Sequence, residues 1–248
     1  MTLLEINEIC KKYSGRKRKT EALKNISFSL DEGEILGIVG ESGSGKSTLL
    51  KIISGLEAAD SGEIIFRGIK LDKKRNLEQL RMMQMIFQDA AGSFHPRRRV
   101  GDSIKDSVRS LYGSGKKLDL DKLCQTVGLN LELAGRFPRE LSGGQCQRFA
   151  IARATAAEPE LLLCDEATSA LDVLTQAQII QLLEEICCVQ KMSMIFVSHD
   201  LAAVSSLCSR ILVMKNGEII EKGNTADIFR NPQQEYTKFL VGSAMAII

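Results

Sequence analysis

No stretch of this 248-residue chain reaches the roughly 18 consecutive apolar residues that cross a bilayer. If the protein works at a membrane, a partner has to hold it there. The start, Met1-Thr2-Leu3-Leu4-Glu5, has no basic region ahead of an apolar core, so it does not read as a secretory signal. Histidine is scarce, with only His95 and His199, so an imidazole-rich metal site is not expected. The seven cysteines are odd in number and contain no C-x-x-C pair. Most sit in apolar surroundings and read as reduced, buried packing residues of a cytosolic protein. Charge of one sign is not in excess: 33 basic against 31 acidic residues leave a net +2, and nothing global points to nucleic acid. Internal repeats and low-complexity linkers are also missing.

What is present is an ordinary globular composition, 44% hydrophobic and 26% charged, in a length that suits one large domain or two lobes. Two basic clusters stand out. Arg16-Lys17-Arg18-Lys19 reads as a solvated loop, and Arg97-Arg98-Arg99 as either a solvated loop or a contact surface. Residues 2–13 and 24–30 alternate apolar and polar positions and predict antiparallel strands, with Asp31-Glu32-Gly33 as the following turn. Ile35-Leu36-Gly37-Ile38-Val39 is a continuous apolar run, which suits a strand buried on both faces. A helix follows from Lys46 to Ser54, with Gly55 as its C-terminal cap.

Residues 61–68 look like one arm of a hairpin, and Met85-Ile86-Phe87-Gln88 like a short strand. From about 90 to 157 helical periodicity dominates, with loops at Gly113-Ser114-Gly115 and Phe137-Pro138, and predicts an inserted helical lobe. Buried strands are expected again at 160–164 and 192–197, joined by a helix over 175–189. Residues 210–214 and 218–222 flank Asn216-Gly217, a strong hairpin signal. The pattern predicts an α/β protein with parallel central strands, crossover helices and antiparallel flanks. The tail from Val241 to Ile248 is mildly apolar and is expected to be loosely ordered or interface-forming.

The chemistry concentrates in short motifs. Gly40-Glu41-Ser42-Gly43-Ser44-Gly45-Lys46-Ser47-Thr48 is a complete phosphate-binding loop between a predicted strand and a predicted helix. Small residues let the backbone wrap phosphates with its N–H groups inward, and the helix dipole adds positive potential there. Lys46 is placed to meet the β- and γ-phosphates, and the Ser47 hydroxyl to ligate Mg²⁺. Leu161-Leu162-Leu163-Cys164-Asp165-Glu166 ends a buried strand in two carboxylates. Asp165 is placed to hold Mg²⁺ and Glu166 to polarise an attacking water, the two functions that in-line phosphoryl transfer requires. Leu141-Ser142-Gly143-Gly144-Gln145 opens another helix; Ser142 can cap it while Gly143 and Gly144 expose their N–H groups.

Together these motifs resemble the ATP-binding cassette (ABC) family. Asp165-Glu166-Ala167-Thr168-Ser169-Ala170-Leu171-Asp172 resembles the family's acidic strand end followed by its D-loop, and 141–145 its signature sequence. The resemblance spans Tyr13 to His199. It implies an α/β fold, a P-loop NTPase cassette with a RecA-like core, an antiparallel β subdomain and an inserted helical subdomain. The core and β subdomain would occupy about 1–89 and 158–248, and the helical subdomain about 90–157. It implies that Tyr13 stacks on adenine, that Gln88 senses Mg²⁺ and links to the transporter, and that His199 contacts the γ-phosphate. It places Ser142, Gly143, Gly144, Gln145 and Asp172 against nucleotide in a head-to-tail dimer, where two composite ATP sites form. ATP and Mg²⁺ are the implied cofactors.

Phe87-Gln88-Asp89-Ala90-Ala91-Gly92-Ser93-Phe94-His95-Pro96-Arg97 is similar to the same stretch of the family's dipeptide, oligopeptide and nickel importers. Ala90 replaces their proline, and Phe94-His95 replaces Leu followed by Asn or Asp. Asn231-Pro232-Gln233-Gln234-Glu235-Tyr236-Thr237 resembles that branch's tail motif, with Gln234-Glu235 in place of His-Pro. The chain stops soon afterwards, which leans the reading toward the shorter nickel or metal-chelate type. The implied partners are two transmembrane permease subunits, a second ABC ATPase subunit (a heterodimer ahead of a homodimer) and an extracytoplasmic substrate-binding protein, with no nucleic acid. The implied location is the cytoplasmic face of the cell membrane, held peripherally, with residues 88–100 against a coupling helix of the permease. The alternatives are a soluble non-transport ABC ATPase, an exporter subunit, or a regulatory cassette; the last should lack Glu166 or His199, and both are present.

Overall fold

A computed structural model of the protein describes residues 1–14, 19–169 and 171–245. The basic residues Arg16, Lys17 and Arg18 lie outside the described residues, as do Ala170 and the last three residues of the tail. The chain divides into two compact units, 1–75 with 193–248, and 76–192. Residues 1–75 carry β1 (Thr2–Ser14), β2 (Lys19–Asp31), β3 (Ile35–Val39), α1 (Lys46–Ser54), β4 (Ser61–Phe66) and β5 (Ile69–Lys70). Residues 76–192 carry α2 (Leu77–Met82), β6 (Met83–Ile86), α3 (Val100–Tyr112), α4 (Leu120–Thr126), α5 (Gly143–Thr155), β7 (Leu161–Asp165) and α6 (Val173–Gln190). The chain then returns to the first unit with β8 (Ser193–Val197), α7 (Leu201–Leu207), β9 (Arg210–Lys215), β10 (Glu218–Asn224), α8 (Thr225–Arg230) and α9 (Glu235–Met245).

In the first unit β1 and β2 are antiparallel, as their alternation predicts. Leu4 faces Leu30, Ile6 faces Phe28 and Ile9 faces Ile26, and all six side chains are buried. Cross-strand apolar pairs of this kind are what hold a sheet register. Ile6 and Ile9 are an odd number of residues apart, so a regular strand would point them to opposite faces. A bulge between them, with Glu8 at φ +53°, returns Ile9 to the core. β4 extends the same sheet beside β1, and β5 pairs with β4.

The uninterrupted apolar run of β3 has its reason in its neighbours. It lies between β8 and β9, parallel to both, and Leu36, Ile38 and Val39 are buried. A side chain at Gly37 would meet Val204 Cγ1 of α7 at 2.7 Å, so glycine lets that helix pack close to the sheet. β9 turns into the antiparallel β10 through Asn216 and Gly217, at φ +51° and +82°. Two successive positive values are what a two-residue type I′ hairpin requires.

In the second unit β6 runs parallel to β7, with Met83 opposite Leu161 and Ile86 opposite Cys164. The expected strand over 85–88 is therefore shifted: it begins and ends two residues earlier, because Ile86 is its last paired residue. The described elements between β6 and β7 are helical, though the first helix starts at Val100 rather than near 90. The segment before it is held by side chains. Asp89 Oδ1 accepts the Gly92 N–H at 2.8 Å, and Arg153 donates to Ser93 O and Oγ at 2.6 and 2.9 Å. Pro138 does not sit in an open loop but opens a single 3₁₀ turn, Pro138–Glu140. The tail is helical through Met245.

Five of the seven cysteines are buried, Cys10 is intermediate and Cys188 is exposed. The exception follows from helix geometry: Cys187 lies on the inner face of α6, and its neighbour is rotated about 100° outward. Burial, with a smaller contribution from Cys188, pushes the Cys187 thiol up to about 12, and burial pushes Cys208 up to about 12. A thiol-directed alkylating reagent at pH 8 is therefore expected to modify Cys188 first in the folded protein. Cys187 and Cys208 should react only after unfolding, as read by peptide mass spectrometry.

Candidate functional site

The first unit holds the phosphate loop at the carboxyl end of β3. Gly40, Gly43 and Gly45 have φ of +150°, +82° and +106°, values that L side chains adopt with strain. Lys46 is buried and folds back over the loop, donating from Nζ to Gly40 O at 2.7 Å and Glu41 O at 2.9 Å. Gly45 is the N-cap of α1 and, as a glycine, makes no side-chain cap hydrogen bond. Ser47 and Thr48 occupy the first turn, half-buried, and Ser42 is exposed in the loop.

β8 ends at the same edge as β3, with Ile38 opposite Val197. His199 follows two residues later and is exposed. Asp200 caps α7 by accepting from the N–H of Ala202 and Ala203. Loops at the carboxyl ends of adjacent parallel strands are where open α/β sheets bind ligands. Tyr13 is the next-to-last residue of β1 and is 39% exposed, enough to leave part of its ring open to a ligand. Its hydroxyl donates to Glu57 at 2.6 Å, and Lys11 pairs with Glu57 at 3.1 Å while lying 5.4 Å from the ring centroid. Burial and the Glu57 hydrogen bond both raise the Tyr13 phenol.

The second unit holds the acidic strand end. Asp165 is buried as the last residue of β7. Glu166 follows with φ +47°, a strained left-handed conformation for a non-glycine residue. Two neighbours hold it. Ser169 Oγ donates to its carbonyl at 3.1 Å, and the Gln88 amide nitrogen donates to its carboxylate at 2.9 Å. Gln88 and Glu166 are 78 positions apart, and their direct contact was not visible in the sequence.

The signature segment starts α5 as expected. Ser142 Oγ accepts the Gln145 N–H, and Gln145 Oε1 accepts the Ser142 N–H, a reciprocal capping box. Gly143 and Gly144 form the first two helical positions. Asp172 caps α6: one oxygen accepts the Thr175 N–H at 3.0 Å and the other the Thr175 hydroxyl at 2.7 Å. These bonds hold its carboxyl below the usual carboxylate range. A Cβ at Gly144 would lie 2.7 Å from Thr175 Cγ2, so the two helix starts pack directly on each other.

A protein-family model described as "ABC transporter" matches residues 23–169. This chain belongs to the ABC transporter family. The cassette is an ATPase and uses ATP. It is 39% identical over 257 aligned residues to the oligopeptide transport ATP-binding protein of Haemophilus influenzae, covering 97% of this chain and 77% of that protein. It is 40% identical over 249 residues to the protein of the same description from Bacillus subtilis, covering 97% of this chain and 82% of the relative. Among solved structures it is similar to a dimeric ATP-binding cassette in a post-hydrolysis state bound to ADP and phosphate. That match has a TM-score of 0.81 at 30% identity and covers 90% of this chain and 99% of the other. A cassette from a Clostridium perfringens ABC transporter complex matches with a TM-score of 0.78 at 28% identity, over 93% of this chain and 91% of that one.

The residues suggested for Mg²⁺ fit that ion by donor chemistry. Ser47 offers a hydroxyl and Asp165 a carboxylate. Gln88 commits its amide nitrogen to Glu166 and keeps its amide oxygen. Each taken by itself is an oxygen donor of the kind Mg²⁺ accepts together with phosphate oxygens. Two side chains that touch this machinery are not part of any motif read from the sequence as functional. Glu57 anchors Tyr13, and Thr175 seats Asp172 and Gly144.

Proposed function

We propose that this cassette is the ATP-hydrolysing subunit of an importer that takes up oligopeptides through separate permease subunits. The observation that carries this reading is the 39–40% identity, over 97% of the chain, to proteins described as oligopeptide transport ATP-binding proteins. The importer-like stretch at 87–97 and the tail motif at 231–237 support it independently. Peptides are favoured over nickel or metal chelates because these relatives are named for peptides.

In this reading Tyr13 stacks on adenine and residues 40–48 wrap the phosphates. Lys46 meets the β- and γ-phosphates; Ser47, Asp165 and Gln88 would hold Mg²⁺, which would supply neutralisation of charge on the phosphates. Glu166 takes a proton from the attacking water, and its bond from Gln88 fixes the direction of its lone pairs. His199 contacts the γ-phosphate. Residues 142–145 and Asp172 face the nucleotide of a second cassette, so that ATP closes the pair and hydrolysis reopens it. Residues 90–157 form the helical subdomain, with 1–89 and 158–248 as the catalytic core and β subdomain.

Among the described residues no helix is long and apolar enough to cross a membrane. Attachment at the cytoplasmic face would come from two permease subunits, contacted by residues 88–100, with an extracytoplasmic binding protein delivering peptide. The exposed Arg97, Arg98 and Arg99 lie in that stretch. The test is affinity capture of this chain from its native membranes in mild detergent, read by mass spectrometry. Recovery of two polytopic proteins and a second cassette, with ATPase activity stimulated by a peptide-loaded binding protein, is the expected result. Recovery of soluble partners alone overturns transport and leaves a soluble ABC ATPase. Stimulation by nickel chelates and not by peptides reassigns the substrate.

A further inference from the structure

We infer that Tyr236 is a positioning residue of the phosphate loop, holding Glu41 from the C-terminal helix. The Tyr236 hydroxyl accepts the backbone N–H of Glu41 at 2.9 Å, across 195 residues of sequence. Lys46 holds the carbonyl of the same residue at 2.9 Å. The Ser44 N–H donates to that carbonyl too, at 3.2 Å. Glu41 is thus pinned through both of its backbone polar groups, its carbonyl from within the loop and its N–H from outside it.

The outer hold is built. The Glu221 carboxylate on β10 accepts the N–H groups of Gln233 at 2.8 Å and Gln234 at 3.1 Å, fixing the chain just ahead of α9. That anchor places Tyr236 in the first turn of α9. Lys215, at the end of β9, lies 4.5 Å from the centre of its ring. The hairpin that carries these two anchors also grips the loop itself. Gly217 donates its N–H to Ser44 O at 3.0 Å. A Cβ at Gly40 would lie 2.2 Å from Met214 O. The first half of the loop is therefore held at Glu41 by Tyr236 and at Ser44 by Gly217, while Met214 O leaves no room for a side chain at Gly40. Sequence reading noted the tyrosine only as part of a tail motif.

A phosphate cradle works by aiming several N–H groups at once, and its apparent affinity falls with the fraction of molecules that hold the right shape. Without the Tyr236 hydroxyl, Glu41 keeps only the holds on its carbonyl, from Lys46 and from the Ser44 N–H at 3.2 Å. Its own N–H loses its partner, and Lys46 is needed by the phosphates. The inference rests on residues 40–48 being the nucleotide cradle.

The experiment compares the parent protein with Y236F and K46A. Binding is titrated with a fluorescent N-methylanthraniloyl-ATP, steady-state ATP hydrolysis gives kcat and KM, and Tm is measured without nucleotide. Y236F is expected to bind nucleotide roughly 3- to 10-fold more weakly, as loss of one hydrogen bond implies. KM should rise in step, with kcat within about 2-fold and the nucleotide-free Tm within about 2 °C of the parent. Parent-like affinity in Y236F, with K46A binding lost, overturns the role of Tyr236 and leaves the cradle reading intact. Weak binding in Y236F that comes with a comparable fall in the nucleotide-free Tm or in kcat marks a structural residue and also overturns it. Parent-like affinity in K46A removes the cradle reading and the inference together.

Discussion

ATP turnover by the Glu166→Gln variant is expected to fall about a thousandfold, within the range of 10²–10⁴ that a positioned general base contributes. The substitution keeps the shape of the side chain and an oxygen to accept the Gln88 amide, which sits 2.9 Å from the carboxylate in the parent. It removes the capacity to take a proton from water. Nucleotide binding involves other residues and should persist. The variant should therefore accumulate as a closed, ATP-loaded dimer, visible as an earlier elution in size-exclusion chromatography with ATP. Phosphate release measured over a single turnover checks the rate. Turnover at the parent rate would remove Glu166 from the role of base.

Gly40→Ala is the second large effect expected, and it acts on stability as well as on nucleotide binding. The new Cβ would stand 2.2 Å from the backbone oxygen of Met214 and 3.0 Å from Ser44 Oγ, at φ +150°. A backbone oxygen in a sheet cannot rotate aside as a side chain can. The strained conformation alone is worth 1–3 kcal/mol and the overlap a similar amount, so a loss of roughly 3 kcal/mol or more is expected. Domains have about 5–15 kcal/mol in hand, so the variant loses a large share of its stability and unfolds at a clearly lower temperature and urea concentration than the parent. Gly43→Ala is the matched control. Its φ is +82°, but nothing lies within 4 Å of the added atom. Only the left-handed penalty of about 1–2 kcal/mol applies there. Urea midpoints of the two variants separate the collision from the conformational strain.

A smaller, pH-dependent effect is expected at Glu221. Burial pushes its carboxyl upward, but the N–H groups of Gln233 and Gln234, together with the Thr237 side chain and the charge of Lys238, outweigh that and hold it below the usual carboxylate range. Its folded value is lower than its unfolded one, so its contribution is complete above about pH 4.5. The contribution is lost as the pH falls through the folded value. Because the group is partly exposed, its worth is about 1 kcal/mol at most. Glu221→Gln should be less stable than the parent at pH 7, with the gap narrowing as the pH falls through the folded value, in urea titrations across that range.

Local chemistry was legible in the sequence. The strand–loop–helix context of residues 40–48, the Ser142 cap, the Asn216-Gly217 turn and the two-sided burial of Ile35–Val39 depend on residues within a few positions of one another. What escaped depends on distant partners. The strand expected over 85–88 ends at Ile86 because its pairing with β7 ends there, which no reading of 85–88 alone contains. The bulge at Glu8 reconciles an odd spacing that looked like plain alternation. Cys188 looked as apolar as Cys187 until α6 turned it outward. Tyr236 shows no relation to Glu41 until α9 is docked. The roles given to Tyr13, Gln88, His199, residues 142–145 and Asp172 came from a family resemblance rather than from spacing, and family membership was then shown by comparison.

The contact between Gly144 and Thr175 carries an evolutionary consequence. The methyl of Thr175 fills the space that a side chain at 144 would need, while its hydroxyl serves Asp172. Position 144 is therefore not free to vary by itself. Serine at 175 would keep the hydroxyl and clear the methyl, opening room for alanine at 144. The two positions form an epistatic pair: Gly144→Ala alone is damaging, and Thr175→Ser, nearly silent in the parent, becomes its suppressor.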